Sequence, residues 1–156
     1  MKISYLADHP EFIETLAPWV AEHWRPILTH ETVESRVEKF RTHLNHNTLP
    51  IAWVAHSGSQ VFGTAALRVH DLPDHETLTP WLGGVYVAPQ FRNAGIGVAL
   101  CLAVEKKVKT MREISTLYLF TLDKQAWYRS LGWSQLKRCT WCGHAGDIMF
   151  KKMHAA

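Results

Sequence analysis

Apolar positions recur along the chain with two periods, and the places where one gives way to the other mark out the elements. Lys2-Ile3-Ser4-Tyr5-Leu6 reads as a short first strand. Asp8 followed by Glu11 has the form of a capping box, which predicts a helix to about Trp24, bent or split at Pro18. Trp24-Arg25-Pro26-Ile27 is a loop, and a second helix is expected from about residue 31 to residue 44. Strands at 51–55 and 61–69 are joined around Ser57-Gly58, a hairpin signal. A polar loop, Asp71-Leu72-Pro73-Asp74-His75-Glu76, leads into a strand ending at Val85-Tyr86-Val87. Helical spacing returns at Ile96, Leu100, Ala103, Val104, Lys107, Val108 and Met111. The unbroken run Leu117-Tyr118-Leu119-Phe120 predicts a central strand buried on both faces. A short helix from Asp123 to Leu131 stops at Gly132, and two strands close the chain, at about 134–141 and 147–152.

The order β-α-α-β-β-β-α-β-α-β-β describes a mixed α/β protein. With no repeat, linker or low-complexity stretch, residues 1–156 are expected to form a single domain. At 156 residues, 47% hydrophobic and 20% charged, the chain has the size and composition of a soluble globular protein. No apolar run approaches the roughly 18 residues that span a bilayer. Asp8 and Glu11 come too early for a signal peptide, so a cytoplasmic location without membrane contact is expected.

Charge adds a second pattern. The net +3 is too mild to argue for nucleic acid, but its distribution is uneven. From residue 8 to residue 38 seven acids face two bases, whereas from residue 92 to residue 138 nine bases face three acids. This suits a C-terminal half that meets a polyanion and an N-terminal half that meets a cation. The three cysteines, Cys101, Cys139 and Cys142, make no disulfide framework. Cys139-x-x-Cys142 with His144 lacks the second pair that a zinc site needs, and no metal is expected.

The strongest chemical signal is Val85-Tyr86-Val87-Ala88-Pro89-Gln90-Phe91-Arg92-Asn93-Ala94-Gly95-Ile96-Gly97, at a strand-to-helix junction. Glycine lets a ligand approach the backbone. The first amides of the following helix lack internal partners, and its dipole favours an anion there. Arg92 adds a full charge, so a pyrophosphate is the natural guest. The dinucleotide fingerprint fails, because Leu100 stands where its third glycine belongs. The P-loop fails as well, because Gly97 is followed by Val98-Ala99 rather than Lys and Ser or Thr.

Arg92-x-x-Gly95-x-Gly97 resembles the Arg/Gln-x-x-Gly-x-Gly/Ala motif of the GNAT superfamily of acetyl-CoA-dependent N-acetyltransferases. Ala126-Trp127-Tyr128-Arg129-Ser130-Leu131-Gly132-Trp133 is similar to the family's Ala-x-x-Phe-Tyr-x-x-x-Gly-Phe segment, with Trp127 in place of the commoner Phe. The element order agrees over nearly the whole chain. The resemblance implies a central, mostly antiparallel sheet of about seven strands flanked by four helices. Its fourth and fifth strands would be splayed to admit acetyl-CoA. It further implies that backbone groups of Val85, Tyr86 and Val87 meet the pantetheine arm. Arg92, Asn93, Ala94, Gly95, Ile96, Gly97 and Val98 would hold the pyrophosphate, and Asp123 and Trp127 would contact the cofactor. Tyr128 would stand beside the thioester sulfur as general acid.

The chemistry asks for little more. An amine of pKa near 10.4 is neutral only about once in 2,500 molecules at pH 7, so the site must take its proton before attack. The departing thiolate then needs a proton back, which a positioned phenol can supply. For the base, Glu76 is the first candidate, with Asp74, His75, His70, Glu22 and His23 also open and a water chain as an alternative. The resemblance places Trp24 and Trp81 at the acceptor pocket, where they could cover a cation, with Glu22 and Asp74 nearby. The expected acceptor is a small primary amine of polyamine, aminoglycoside or amino-sugar type, met by a monomer or homodimer. A protein N-terminus or lysine is the alternative acceptor, and a non-catalytic acetyl-CoA-binding module is the rival outside enzymology.

Overall fold

In the computed structural model, which describes residues 1–154, the expected order of elements holds from end to end. The strands are β1 (Lys2–Tyr5), β2 (Ile51–Ser57), β3 (Gln60–Arg68), β4 (Trp81–Val87), β5 (Thr116–Thr121), β6 (Ser134–Trp141) and β7 (His144–Lys152). The helices are α1 (Ile13–Trp24), α2 (Val33–Arg41), α3 (Ile96–Lys109) and α4 (Gln125–Ser130). One sheet holds all seven strands in the order β1-β2-β3-β4-β5-β7-β6. Every neighbouring pair is antiparallel except β4 and β5.

Alternation along the strands divides the core between two faces. Trp53, Ala65, Leu67, Leu117, Leu119 and Met149 pack with Leu100 and Val104 of α3 and Tyr128 of α4. Ala52, Val54, Ala66 and Tyr86 point the other way, onto Leu16, Ala17 and Val20 of α1 and Phe40 of α2. Each fully buried Leu or Val here contributes about 1.5–3 kcal/mol of transfer free energy.

Local chemistry moves several expected boundaries. Asp8 opens no helix; its carboxylate meets His46 Nε2 at 2.6 Å, and two short 3₁₀ turns precede α1. The capping box lies instead at α2, where Thr32 Oγ1 accepts from the Ser35 N–H (3.0 Å) and Ser35 Oγ accepts from the Thr32 N–H (3.0 Å). Pro18 does not split α1, whose buried stripe of Ile13, Leu16, Ala17, Val20 and Ala21 runs past it. β5 is not buried equally on both faces: Leu117 and Leu119 are enclosed, Tyr118 and Phe120 only half so.

The feature that makes the site is in β4. Gly84 and Val85 together oppose Ala65 alone on β3, a bulge in which Gly84 takes a left-handed φ of 58°. β5 pairs with β4 at Trp81↔Tyr118, where the Tyr118 N–H reaches the Pro80 carbonyl at 3.1 Å. Beyond the bulge the two parallel strands part.

Candidate active site

At the wide end of this parting the chain turns into α3. Gly95, at φ 79°, is the residue before the helix, and its carbonyl accepts the first helical bond, from the Ala99 N–H at 3.0 Å. The amides of Ile96, Gly97 and Val98 therefore have no partner inside the helix. Asn93 is also left-handed, at φ 64°, and residues 92–95 are exposed. A Cβ on Gly95 would meet nothing within 4 Å, so the space above the loop is open to a phosphate. Arg92 is pinned over it: Nε donates to the Val87 carbonyl at 2.8 Å, and the guanidinium lies 5.8 Å from the Tyr86 ring centroid. The Ala88 N–H bonds the Phe62 carbonyl beside β3, so Val87 turns its own backbone groups into the parting.

Beneath the loop, Trp127 closes the space beside Gly97, where a Cβ would press on its ring at 3.2 Å. Tyr128 is 8% exposed, in edge contact with Trp127 and Trp133. Burial pushes its phenol well above the usual range, so it stays protonated at any working pH. Among the described residues the fully enclosed polar atoms without partners are Glu31 Oε2 and Trp133 Nε1.

On the opposite face, Arg68 and Asp71 lie flat on the bulge. A Cβ at Gly83 would meet Arg68 Nη1 at 2.8 Å and Asp71 Oδ1 at 3.1 Å; one at Gly84 would meet Arg68 Nη2 at 2.9 Å. Arg68 Nη1 donates to Asp71 Oδ1 (2.9 Å) and Arg68 Nε to His43 Nε2 (3.0 Å). A guanidinium can only donate, so the His43 proton is on Nδ1 and goes to the Lys39 carbonyl at 2.8 Å. Burial, with the Arg68 guanidinium beside it, lowers the His43 pKa to about 4. A neutral imidazole thus ties the end of α2 to the pair on the bulge.

Comparison with known proteins decides the identity. Residues 49–135 match the family model of the acetyltransferase (GNAT) domain, more than half the chain. The chain belongs to that family. It is an acetyltransferase, and acetyl-CoA is its acetyl donor. No curated protein sequence matches this acetyltransferase. Among solved structures, the aminoglycoside 6'-acetyltransferase type Ii is 22% identical with a TM-score of 0.73, over 100% of this chain and 99% of that one. An aminoglycoside 6'-N-acetyltransferase complexed with coenzyme A is 20% identical with a TM-score of 0.72, over the same shares. The N-acetylglutamate synthase of Neisseria gonorrhoeae, complexed with coenzyme A and N-acetyl-glutamate, is 18% identical with a TM-score of 0.68, over 99% of this chain and 36% of that one. At these identities the likeness shows the fold.

The residues expected at the acceptor pocket of the acetyltransferase do not all come together. Trp81 offers no ring to a ligand: it is fully buried with Leu72 and Ile148, and its Nε1 donates to the Leu78 carbonyl at 2.6 Å. Glu76 and Asp74 are exposed on the loop, and the carboxylate that this loop turns inward is Asp71. Neither spacing nor motif distinguishes Asp71 from its neighbours; its partner Arg68, three residues upstream, is the one local signal. Trp24 is half-buried, with its ring 5.6 Å from that of Trp141. Glu22 is exposed at the end of α1. His23 stands 5.3 Å from the Tyr86 ring. Burial and Arg92, against the opposing Asp123, hold its imidazole below its ordinary pKa. Asp123 itself is exposed.

The two charged runs also resolve. Lys106, Lys107 and Lys109 sit in the last turn of α3, suited to its dipole but some 20 Å of helix from the phosphate loop. Among the acids of the N-terminal run, Asp8 meets His46, Glu31 meets Arg36 and Glu38 meets Arg41. These carboxylates are spent on internal pairs rather than held ready for a substrate cation. Among the described residues no group of three or more His, Cys, Asp or Glu is arranged to hold a metal, and no helix is long and apolar enough to cross a membrane.

Proposed function

We propose that the enzyme acetylates a primary amine of a small molecule by direct attack on acetyl-CoA in a ternary complex. The observation that carries this reading is the position of the Arg68–Asp71 pair. It rests on the β4 bulge, where the strands part, on the face opposite Tyr128. Acetyl-CoA bound along the parting supplies an activated carbonyl. The unpaired amides of residues 96–98, with Arg92, hold its pyrophosphate, and the Val87 N–H meets the pantetheine arm. An ammonium entering from the α1 face meets the Asp71 carboxylate, which orients it and draws off its proton. The Tyr128 hydroxyl, kept protonated by burial, hydrogen-bonds the sulfur and protonates it as the C–S bond breaks; the second proton, shed by nitrogen as the amide forms, returns to the phenolate.

A small acceptor is favoured over a peptide by the Trp24–Trp141 contact, which joins the end of α1 to the end of β6. An extended peptide needs an open groove along that line. Release of the CoA thiol, followed against a panel of small amines and peptides, tests the reading. Absence of acetyl-CoA binding at millimolar concentration by calorimetry would sink it. Turnover confined to peptides would replace the small amine with the alternative.

A further inference from the structure

Helix α3 carries a carboxylate on its buried face. Leu100, Cys101, Val104 and Val108 pack into the core, and Glu105 lies among them, 3% exposed. Its partner is Lys151 of β7, whose Nζ meets Glu105 Oε1 at 2.8 Å and also donates to the Leu131 carbonyl at 2.7 Å. The turn that ends α4 closes over the lysine stem. Gly132 is left-handed there, at φ 95°, and a Cβ on it would stand 3.3 Å from Lys151 Cε. Leu131 is in turn bonded to Tyr128. Its N–H donates to the Tyr128 carbonyl at 3.0 Å, and the Trp133 N–H donates to the same oxygen at 3.1 Å. The Trp133 ring also meets the Tyr128 ring edge-on. A chain of direct contacts thus runs from Glu105 through Lys151 and Leu131 to the backbone of Tyr128.

We infer that Lys151, fixed by Glu105, is a positioning residue for Tyr128: it holds the end of α4 so that the phenol meets the thioester sulfur. The inference rests on the role proposed for Tyr128 and adds the residues that keep it in place. Six residues are too few for a helix to hold its own shape, so α4 takes its position from what its ends touch. At one end Trp127 packs against Gly97 in the first turn of α3. At the other, Lys151 reaches Glu105, about 12 Å further along the same helix. The helix whose first amides would hold the pyrophosphate therefore also sets the place of the acid. Stability does not demand this pair. A buried ion pair replaced by apolar side chains of similar size often leaves a fold as stable or more so, whereas removal of one partner strands the other charge. What the pair adds, and a leucine with a methionine could not, is a donor fixed on the Leu131 carbonyl.

The test replaces both partners at once in the full chain, Glu105→Leu with Lys151→Met. The melting temperature should stay within about 5 °C of the wild type's. Hydrogen exchange, read by mass spectrometry, should run at least about tenfold faster in peptides covering residues 125–133 and stay unchanged in those of β2 and β3. Turnover is followed as thiol release from acetyl-CoA with the fastest amine of the panel. Its kcat should fall about 10–100-fold, while acetyl-CoA affinity by calorimetry changes less than about threefold. Placed on Tyr128→Phe, the same two substitutions should cost no further turnover, because the group they position is gone. Wild-type exchange over residues 125–133, or an undiminished loss of kcat on Tyr128→Phe, overturns the inference. If the apolar pair does not fold, Glu105→Gln with Lys151→Gln carries the same expectations. That pair keeps a hydrogen bond between the two side chains but falls short of the Leu131 carbonyl. Wild-type turnover in Tyr128→Phe alone is a separate result, which counts against the proposed role of the phenol; the exchange measurement still decides whether Lys151 holds α4.

Discussion

In the arrangement we propose, the two sides of the parted strands are built from different materials. The cofactor side is backbone: the Val87 edge, the left-handed Asn93 and Gly95, and the free amides that open α3, all within residues 85–98. The acceptor side is side chain: Trp24 from α1, His43 after α2, Arg68 from β3, Asp71 from the following loop and Trp141 from β6. A diphosphate is the same in every acetyl-CoA, and fixed amides suit a fixed anion. An acceptor amine varies, and side chains contributed by separate segments can be exchanged without disturbing the cofactor. The division predicts that substitutions on one side change one affinity and leave the other alone.

Tyr128 stands between the two sides, and its loss should have the largest effect. Tyr128→Phe keeps the ring among Trp127 and Trp133, so the melting temperature should barely move, while kcat and kcat/KM fall together by about 10²–10⁴-fold. Acetyl-CoA affinity, read by calorimetry, should be unchanged. Activity within threefold of wild type in a folded protein removes Tyr128 from the mechanism. Next in size is Gly97→Asp, which sets a carboxylate at the phosphate site and should weaken acetyl-CoA binding about 10³-fold. The Gly97 Cβ also presses on Trp127, so Gly97→Ala is the necessary companion. The alanine variant should lose less than about tenfold, and equal losses in the two would mean that packing alone is being measured.

This division also explains how far the sequence could be read. The proposed cofactor side is contiguous, with Gly95 in a left-handed conformation and Gly97 close against the Trp127 ring, so a single motif at residues 92–97 can carry it in the sequence. The sheet follows from period and turn chemistry: the hairpin at Ser57-Gly58, the stripe of α3 and the stop at Gly132 all stand where expected. The acceptor side escapes because its members are brought together only by the fold. Apart from Arg68 three residues upstream, Asp71 differs from Asp74 and Glu76 only in the direction its loop takes. Trp81 looked like a ring for a cation and is core, because the loop from Leu72 to Leu78 folds over it. The acidic run looked like a cation site because pairs such as Glu31–Arg36 cannot be separated from free charge by composition.

On the acceptor side the same logic gives smaller effects. Asp71→Asn keeps the size of the side chain and an oxygen for Arg68 but removes the charge that meets the ammonium. It should lower kcat/KM for the acceptor by about 100-fold, the low end for a lost acid–base group, with acetyl-CoA affinity intact. Glu76→Gln should change neither quantity beyond about twofold, since that carboxylate is exposed on the loop. An inverted order of the two, in steady-state kinetics, would return the base to Glu76.

The smallest expected effect is the most informative about how the acceptor side is held. His43 is 4% exposed and serves as an acceptor for Arg68 only while it is neutral. Its pKa is about 4 in the fold against about 6.5 in the unfolded chain. Between those values the unfolded chain binds a proton that the folded one refuses. The stability from His43 is thus complete above about pH 6.5 and is lost as pH falls toward 4, by about 3 kcal/mol. His43→Gln removes the titration and keeps an oxygen for Arg68, but the donor to the Lys39 carbonyl no longer has the imidazole's reach. The variant should be about 1–2 kcal/mol less stable at pH 7 and should lose less than the wild type on going to pH 4.5, both read by urea unfolding. With Arg68 less firmly seated on the bulge, kcat/KM for the acceptor should fall about tenfold, while acetyl-CoA affinity stays constant. A purely structural histidine would lower stability and leave that ratio of effects untouched. Parallel stability curves for the two proteins between pH 7 and 4.5 would show that the imidazole is not held neutral, and the tie between α2 and the bulge would then have to be drawn without it.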